Sequence, residues 1–109
     1  MKYIKTFELA ATEEELSRVG NYVIINPFFQ ITIKEKKFFN NTIGQIIRIE
    51  ENIFSPENFI VVQYNKKDIP LYVILNKDLT YFVKSYEIIL EYKNKEDLES
   101  FLISKKYNL

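Results

Sequence analysis

"VGNYVII" at Val19–Ile25 and "IGQIIRI" at Ile43–Ile49 decide how this chain is read. Each sets a β-branched residue before a glycine, an amide after it and an apolar run beyond. Gly20 and Gly44 are the only two glycines in 109 residues. Glycine inside a strand pattern marks a bulge, a tight bend or a close backbone approach. The two stretches therefore read as strands that share an entry constraint.

Upstream, "TEEELSR" from Thr12 reads as a short helix. Thr12 serves as N-cap, Glu15 completes a capping box, and three glutamates in the first turn suit the helix dipole. "KYIKTFEL", from Lys2 to Leu9, alternates as a short strand. Downstream of Gly20, "NYVIIN" is a strand stopped by Pro27. "QITIKEK" alternates Ile31 and Ile33 against Gln30, Thr32 and Lys34. That pattern predicts a protruding hairpin over Phe28–Phe39, with Asn40 and Asn41 as a turn. "TIGQIIRIEE" is the next strand, with Ile43, Ile47 and Ile49 in phase, and "NIFSPEN" is a loop around Pro56. "FIVVQY" sets Ile60, Val62 and Tyr64 on one face, and "LYVIL" at 71–75 reads as a further strand. "TYFVKSYEIILEY" is strand-like with a break near Ser85. Asn94 is a good N-cap, and Leu98, Phe101 and Leu102 follow helical spacing. An amphipathic helix over 94–106 is expected, with Phe101 buried against the sheet.

Strands that follow one another without long helices cannot pair in parallel, because parallel pairs need long crossovers. The fold class is mainly β, a β-rich α+β domain built on a small antiparallel barrel or a strongly bent sheet. It has a short N-terminal helix and a C-terminal amphipathic helix. One domain is expected: an arm and short helix over 1–18, the barrel over 19–92 and the helix over 94–106. "VGNYVII", "IGQIIRIEEN" and "FIVVQY" together resemble the SH3-like barrels of the KOW type. Gly20, Val23 and Ile25 match the first glycine-led strand of that pattern; Gly44, Ile46 and Ile49 match the second. The pattern differs at Asn21, where aspartate is usual, and in a longer loop between the glycines. The resemblance implies a binding module for RNA, DNA or protein.

Fifteen basic residues balance fifteen acidic ones, and there is no cysteine and no histidine. This balance lacks the global field of a nonspecific nucleic-acid binder. Disulfides and thiolate metal sites are excluded, and the usual general base near neutral pH is missing. No cofactor, no metal site, no catalytic residue and no enzymatic activity are expected. No apolar run approaches the length of a membrane span. The opening residues lack the apolar core of a secretory signal, so a cytoplasmic location is expected. Thirteen of the fifteen basic residues are lysine, and isoleucine and asparagine abound, as in AT-rich coding. Such coding fits a phage, a large DNA virus or an AT-rich bacterium; "MKYIKTFE" resembles the short basic–aromatic leaders of tailed-phage and large-virus proteins, and a phage or viral protein is the expectation.

The most suggestive stretch for binding is "PFFQITIKEKKFFNN". It joins Lys34, Lys36 and Lys37 to Phe28, Phe29, Phe38 and Phe39. Basic residues beside aromatics can grip a nucleic-acid backbone while bases stack. The bland alternative is that the phenylalanines anchor the loop and the lysines guard an edge. A second basic turn, "NKKD" at 65–68, reads as solvated. Tyr22, Tyr64, Tyr72 and Tyr81 are candidates for an aromatic cage. The leading expectation is a non-enzymatic module that docks a protein partner, such as a host or defence factor, through residues 28–39. The alternatives are a nucleic-acid-binding accessory protein using the same segment and a structural or assembly protein.

Overall fold

The computed structural model describes residues 12–28 and 31–107. The expected strand at 2–9, the "MKYIKTFE" leader and Phe29 lie outside them. Helix α1 (Glu13–Leu16) is followed by β1 (Tyr22–Ile25), α2 (Ile33–Asn41), β2 (Gly44–Glu50) and β3 (Phe59–Gln63). Then come β4 (Thr80–Val83), β5 (Ile88–Tyr92) and α3 (Lys95–Tyr107), with one 3-10 turn at Lys66–Asp68 and another at Ser85–Glu87. The five strands form one antiparallel sheet in the order β4-β3-β2-β1-β5. The antiparallel α+β class is as expected. The barrel is not closed: β4 and β5 stand at the two edges, and no ladder joins them among the described residues.

One face of the sheet carries the main core. Val23 and Ile25, Ile46 and Ile49, Ile60, Val62 and Tyr64, and Val83 gather there with Phe38 and Phe39 of α2. β1 and β3 hold their alternation. β2 does not: its register shifts between Ile46 and Arg48, so Gly44, Ile46 and Ile49 are buried while Ile47 is only half-buried. The single phase expected from Ile43, Ile47 and Ile49 is broken by this bulge, which inserts one unpaired residue.

Three further expectations are corrected. Residues 33–41 form a helix, not the strand of a hairpin, and Asn40 and Asn41 lie in its last turn. Thr32 caps it, accepting from Glu35 N at 3.1 Å while the Glu35 carboxylate accepts from Thr32 N at 2.8 Å. The box is the same one that Thr12 and Glu15 form at α1. Residues 71–75 form no strand; only Val73 is buried there, and Leu71 and Ile74 face solvent. Helix α3 packs on β5 and β1 with Leu98 fully buried, but Phe101 is 38% exposed and its ring stands 6.3 Å from that of Tyr92. Leu98 lies one turn earlier and takes the central position, which leaves Phe101 at the margin.

The two glycines answer different constraints. Gly20 has φ = +101°, a conformation that L side chains rarely adopt. It turns the chain from α1 into β1, with its N–H donating to Ile46 O at 2.7 Å and its carbonyl accepting from Gln45 Nε2 at 3.1 Å. Gly44 lies against the core. A Cβ there would collide with Val62 Cγ1 and stand 2.9 Å from Tyr64 Cζ.

The turn before β1 is fastened to the neighbouring edge strand β5 by a polar cluster. Arg18 Nε donates to Glu91 Oε1 at 3.0 Å, Arg18 Nη1 to Ser85 Oγ at 3.0 Å, and Asn21 Nδ2 to Glu91 Oε2 at 2.6 Å. Burial by itself would raise the Glu91 carboxyl; the hydrogen bonds from Arg18 and Asn21 outweigh it, and the net direction is downward. Buried Glu87 plays a similar part at the next turn, accepting from Phe28 N and Lys84 N, each at 2.8 Å.

Gly44→Ala is expected to destabilise the fold by about 1–3 kcal/mol through overpacking. In a double-mutant cycle with Val62→Ala, much of that cost should vanish, because the removed methyls make room. Strict additivity would show that Gly44 is not held by the contact. Glu91 generates a second expectation. Its folded pKa is depressed, so its contribution is complete above the ordinary carboxylate range and is lost as pH falls through the folded value. Glu91→Gln should cost roughly 1–2 kcal/mol in urea unfolding at about pH 7, and the gap from wild type should shrink by about pH 3. A gap constant across that range would refute the assignment.

Candidate interaction surface

Helix α2 is bolted down by aromatic contacts. The Phe38 and Phe39 rings meet at 5.1 Å, Phe38 lies 5.4 Å from Tyr64, and Phe39 lies 5.8 Å from Tyr64 and 4.5 Å from Tyr81. Both phenylalanines are core residues, 7% and 1% exposed, which corrects their place in the expected site as free contact groups; Phe38 keeps only a sliver of surface, at the cleft between α2 and the β3–β4 loop. The helical period puts them on one face and turns Lys34, Lys36 and Lys37 outward, where all three are exposed. Phe28 is also exposed, but it lies against Tyr86 beside the second 3-10 turn, with ring centroids 5.2 Å apart. The expected site is thus divided: the lysines form a surface, Phe38 and Phe39 support it from beneath, and Phe28 belongs to another corner.

The loop between β3 and β4 completes this surface. Asn65 caps the turn at Lys66–Asp68, its side chain accepting from Lys67 N at 3.2 Å. Val73 N donates to Pro70 O at 3.1 Å, and Val73 anchors the middle of the loop in the core. Leu79 holds the far end in the left-handed region, with φ = 65°. Between α2 and this loop lies a cleft of about 440 Å³. Lys34, Lys37, Phe38 and Asn41 form one wall; Lys67, Asp68, Ile69, Pro70 and Tyr72 form the other. Lys34 Nζ sits 5.9 Å from the centroid of the Tyr72 ring. A groove of about 710 Å³ shares Asn41, Lys67 and Asp68 with the cleft and continues over Gln45 and Gln63 to Lys95 and Glu99 of α3.

Two basic stretches about thirty residues apart in sequence therefore meet across one cleft. Their elements carry Lys34, Lys36, Lys37, Lys66 and Lys67 against Glu35 and Asp68. Glu35 is already committed to its capping box. Exposed apolar groups adjoin the lining residues in sequence: Ile33, just before Lys34, is 86% exposed, and Leu71, just before Tyr72, fully so. The candidate cage of four tyrosines is not assembled. Tyr64 is buried, Tyr81 stacks on Phe39, and Tyr72 alone stands at the cleft mouth.

Lys67 and Leu71 were missed as contact residues, and Tyr72 was named only as a candidate for the cage. Their one signal was the basic "NKKD" turn, and nothing local in it tells which helix it will face. Among the described residues no group of three or more Asp, Glu, His or Cys is placed to hold a metal ion. No helix among them is long and apolar enough to cross a membrane. Compared with known proteins, the chain matches no protein-family model, no curated protein and no solved structure.

The support beneath the surface is testable. Phe39→Ala should cost roughly 3–5 kcal/mol in chemical denaturation, as for a buried aromatic, and well above the cost of Phe101→Ala at the sheet margin. Equal losses at the two positions would overturn this ranking of their burial.

Proposed function

We propose that the chain is a non-enzymatic binding module on an SH3-like, partly open barrel, and that it docks an acidic, apolar-bearing segment of a protein partner. The SH3-like reading is supported by the link between β4 and β5. A flat five-stranded sheet would put its edges about 19 Å apart. Four residues, Lys84–Glu87, join those edges, three of them in a 3-10 turn that rises only about 2 Å per residue. So short a link favours a sheet curled until its edges approach, with the core inside the curl.

The observation that carries the binding reading is the convergence of α2 and the 66–72 segment on a lysine-walled cleft with exposed Ile33 and Leu71 beside it. Lysines steer and hold carboxylates, and exposed aliphatics gain from covering apolar side chains. Burial of Phe38 and Phe39 weighs against the nucleic-acid reading, since base stacking needs accessible ring faces and Tyr72 alone offers one in the cleft. Aliphatics gain little from a phosphate backbone. The AT-rich coding signature supports a phage or large-virus setting, in which the partner is a host or defence protein.

Selection of displayed peptides on the immobilised protein tests this. Enriched sequences should combine Asp or Glu with Leu, Ile or Phe. Their affinity should fall at least about tenfold for Lys34→Glu/Lys37→Glu/Lys67→Glu, about 1.4 kcal/mol, while the melting temperature barely moves, as for exposed positions. Peptides without acidic residues, or equal binding to the variant, would reject the reading. Tight binding of single-stranded oligonucleotide with a steep salt slope would replace it with the nucleic-acid alternative.

A further inference from the structure

The end of the molecule opposite the cleft carries a segment of the chemistry that the cleft would accept. The loop joining β2 to β3 presents Ile53 and Phe54 to solvent, 78% and 90% exposed. These side chains are held out by a structured turn. Phe54 N donates to Asn52 Oδ1 at 3.1 Å, Ser55 N to Asn52 O at 3.2 Å and Glu57 N to Ser55 Oγ at 3.2 Å. The loop base is tied down as well, with Asn58 Nδ2 donating to Glu15 Oε1 at 3.1 Å and Lys84 Nζ standing 3.8 Å from Glu57 Oε1. A pair of large apolar groups on a pre-shaped turn loses little conformational freedom on binding. Ile53 and Phe54 are adjacent, so they offer one contiguous apolar patch, and contiguous exposed patches are what mark contact sites.

Its charge is opposite to that of the cleft. The stretch from Glu50 to Asn58 contains Glu50, Glu51 and Glu57 and no basic residue, a formal charge of −3. Residues 33–41 and 65–72 together carry five lysines, one glutamate and one aspartate, a formal charge of +3. The whole chain is neutral, so the two charges are segregated and do not reflect a general excess. They sit at opposite ends of one hairpin. Gln45 pairs with Gln63 at the cleft end, and Glu50 pairs with Phe59 at the loop end. With seven residues in β2, the two ends are roughly 20 Å apart, too far for the loop to reach its own cleft.

Resting on the binding reading above, we infer that a second copy of this chain is an occupant of the cleft. The Ile53–Phe54 tip of one copy enters the α2 cleft of the next, with Glu51 and Glu57 facing Lys34, Lys37 and Lys67. The contact is heterologous: the surface each copy gives differs from the one it receives. Such contacts leave one free tip and one free cleft after every addition, so they build rings or open chains. Salt weakens the contact, because the charges lie at the surface.

Sedimentation velocity of the full chain at low ionic strength tests this. The average mass should rise with concentration past twice the monomer mass, and should fall when salt is added. Phe54→Asp destroys the tip and keeps the cleft; Lys34→Glu/Lys67→Glu destroys the cleft and keeps the tip. Each variant alone should sediment as a monomer, with circular dichroism unchanged. An equimolar mixture should recover a species of two copies and no larger one, because each pair consumes the one good tip and the one good cleft. That recovery also proves both variants folded. A monomeric wild type at all concentrations overturns the inference, and so does self-association that survives in either variant. So does a mixture that forms no pairs. If the wild type is monomeric while selected acidic peptides still lose affinity for the lysine variant, the cleft reading stands and only the second-copy occupant fails. If neither peptides nor copies bind, both fail.

Discussion

The Tyr64 ring resting on the bare backbone of Gly44 is the contact on which the arrangement depends. Tyr64 directly follows β3, and Gly44 begins β2. The same ring touches Phe38 and Phe39 of α2, so one side chain locks a strand end, a strand start and a helix together. Its phenol has no hydrogen-bond partner among the described residues, and burial pushes the phenol above its ordinary range, with a smaller push from Tyr81. The contact is therefore held by packing. An aromatic buries about 150–250 Å², worth at most roughly 4–6 kcal/mol at 25 cal/mol/Å². Exposed lysines contribute tenths of that. The support of α2 and the charge on its outer face are energetically separate, which leaves the outer face free to be shaped by what it binds.

The parts of the fold that were legible are those where one residue type serves one local constraint. β1 and β3 stand out as short apolar runs because both of their faces are covered: Ile24 and Val61 are as fully buried as Val23, Ile25, Ile60 and Val62. Thr12 with Glu15, and Asn94 before α3, mark helix starts by chemistry that needs no tertiary partner. The two glycines were legible as special positions, and the reasons that separated them, a positive φ at Gly20 and a neighbour's methyl at Gly44, are properties of the folded chain.

α2 was misread for a physical reason. Ile31, Ile33 and the polar residues between them alternate over too short a window to tell a strand from a helix start. The Thr32–Glu35 spacing repeats the box at Thr12–Glu15 and carried the better signal. What decides the matter is Phe38 and Phe39: adjacent residues point to opposite faces of a strand, whereas here both reach the core beneath Tyr64 and Tyr81. The apolar run at 71–75 failed in the opposite sense. Its hydrophobicity is strand-like, but Val73 alone finds a place in the core, and Leu71 and Ile74 are left outside. The break in phase of β2 belongs to the bulge at Ile47, which has no pairing partner on β3.

The cleft itself could not have been read from the chain, because its walls meet only through the hairpin between them. Net charge was equally silent. A sum of zero describes a uniform mixture and a segregated molecule alike, yet only the second has a field at close range. Surface charges are screened beyond about 8 Å in physiological salt, so a partner at the cleft meets the lysines of α2 and the 66–67 turn and is screened from the glutamates at the far end of the hairpin. The rigid β2–β3 pair is what makes this separation physical. It holds the basic and acidic ends about two screening lengths apart, so each acts on its neighbours as though the other were absent.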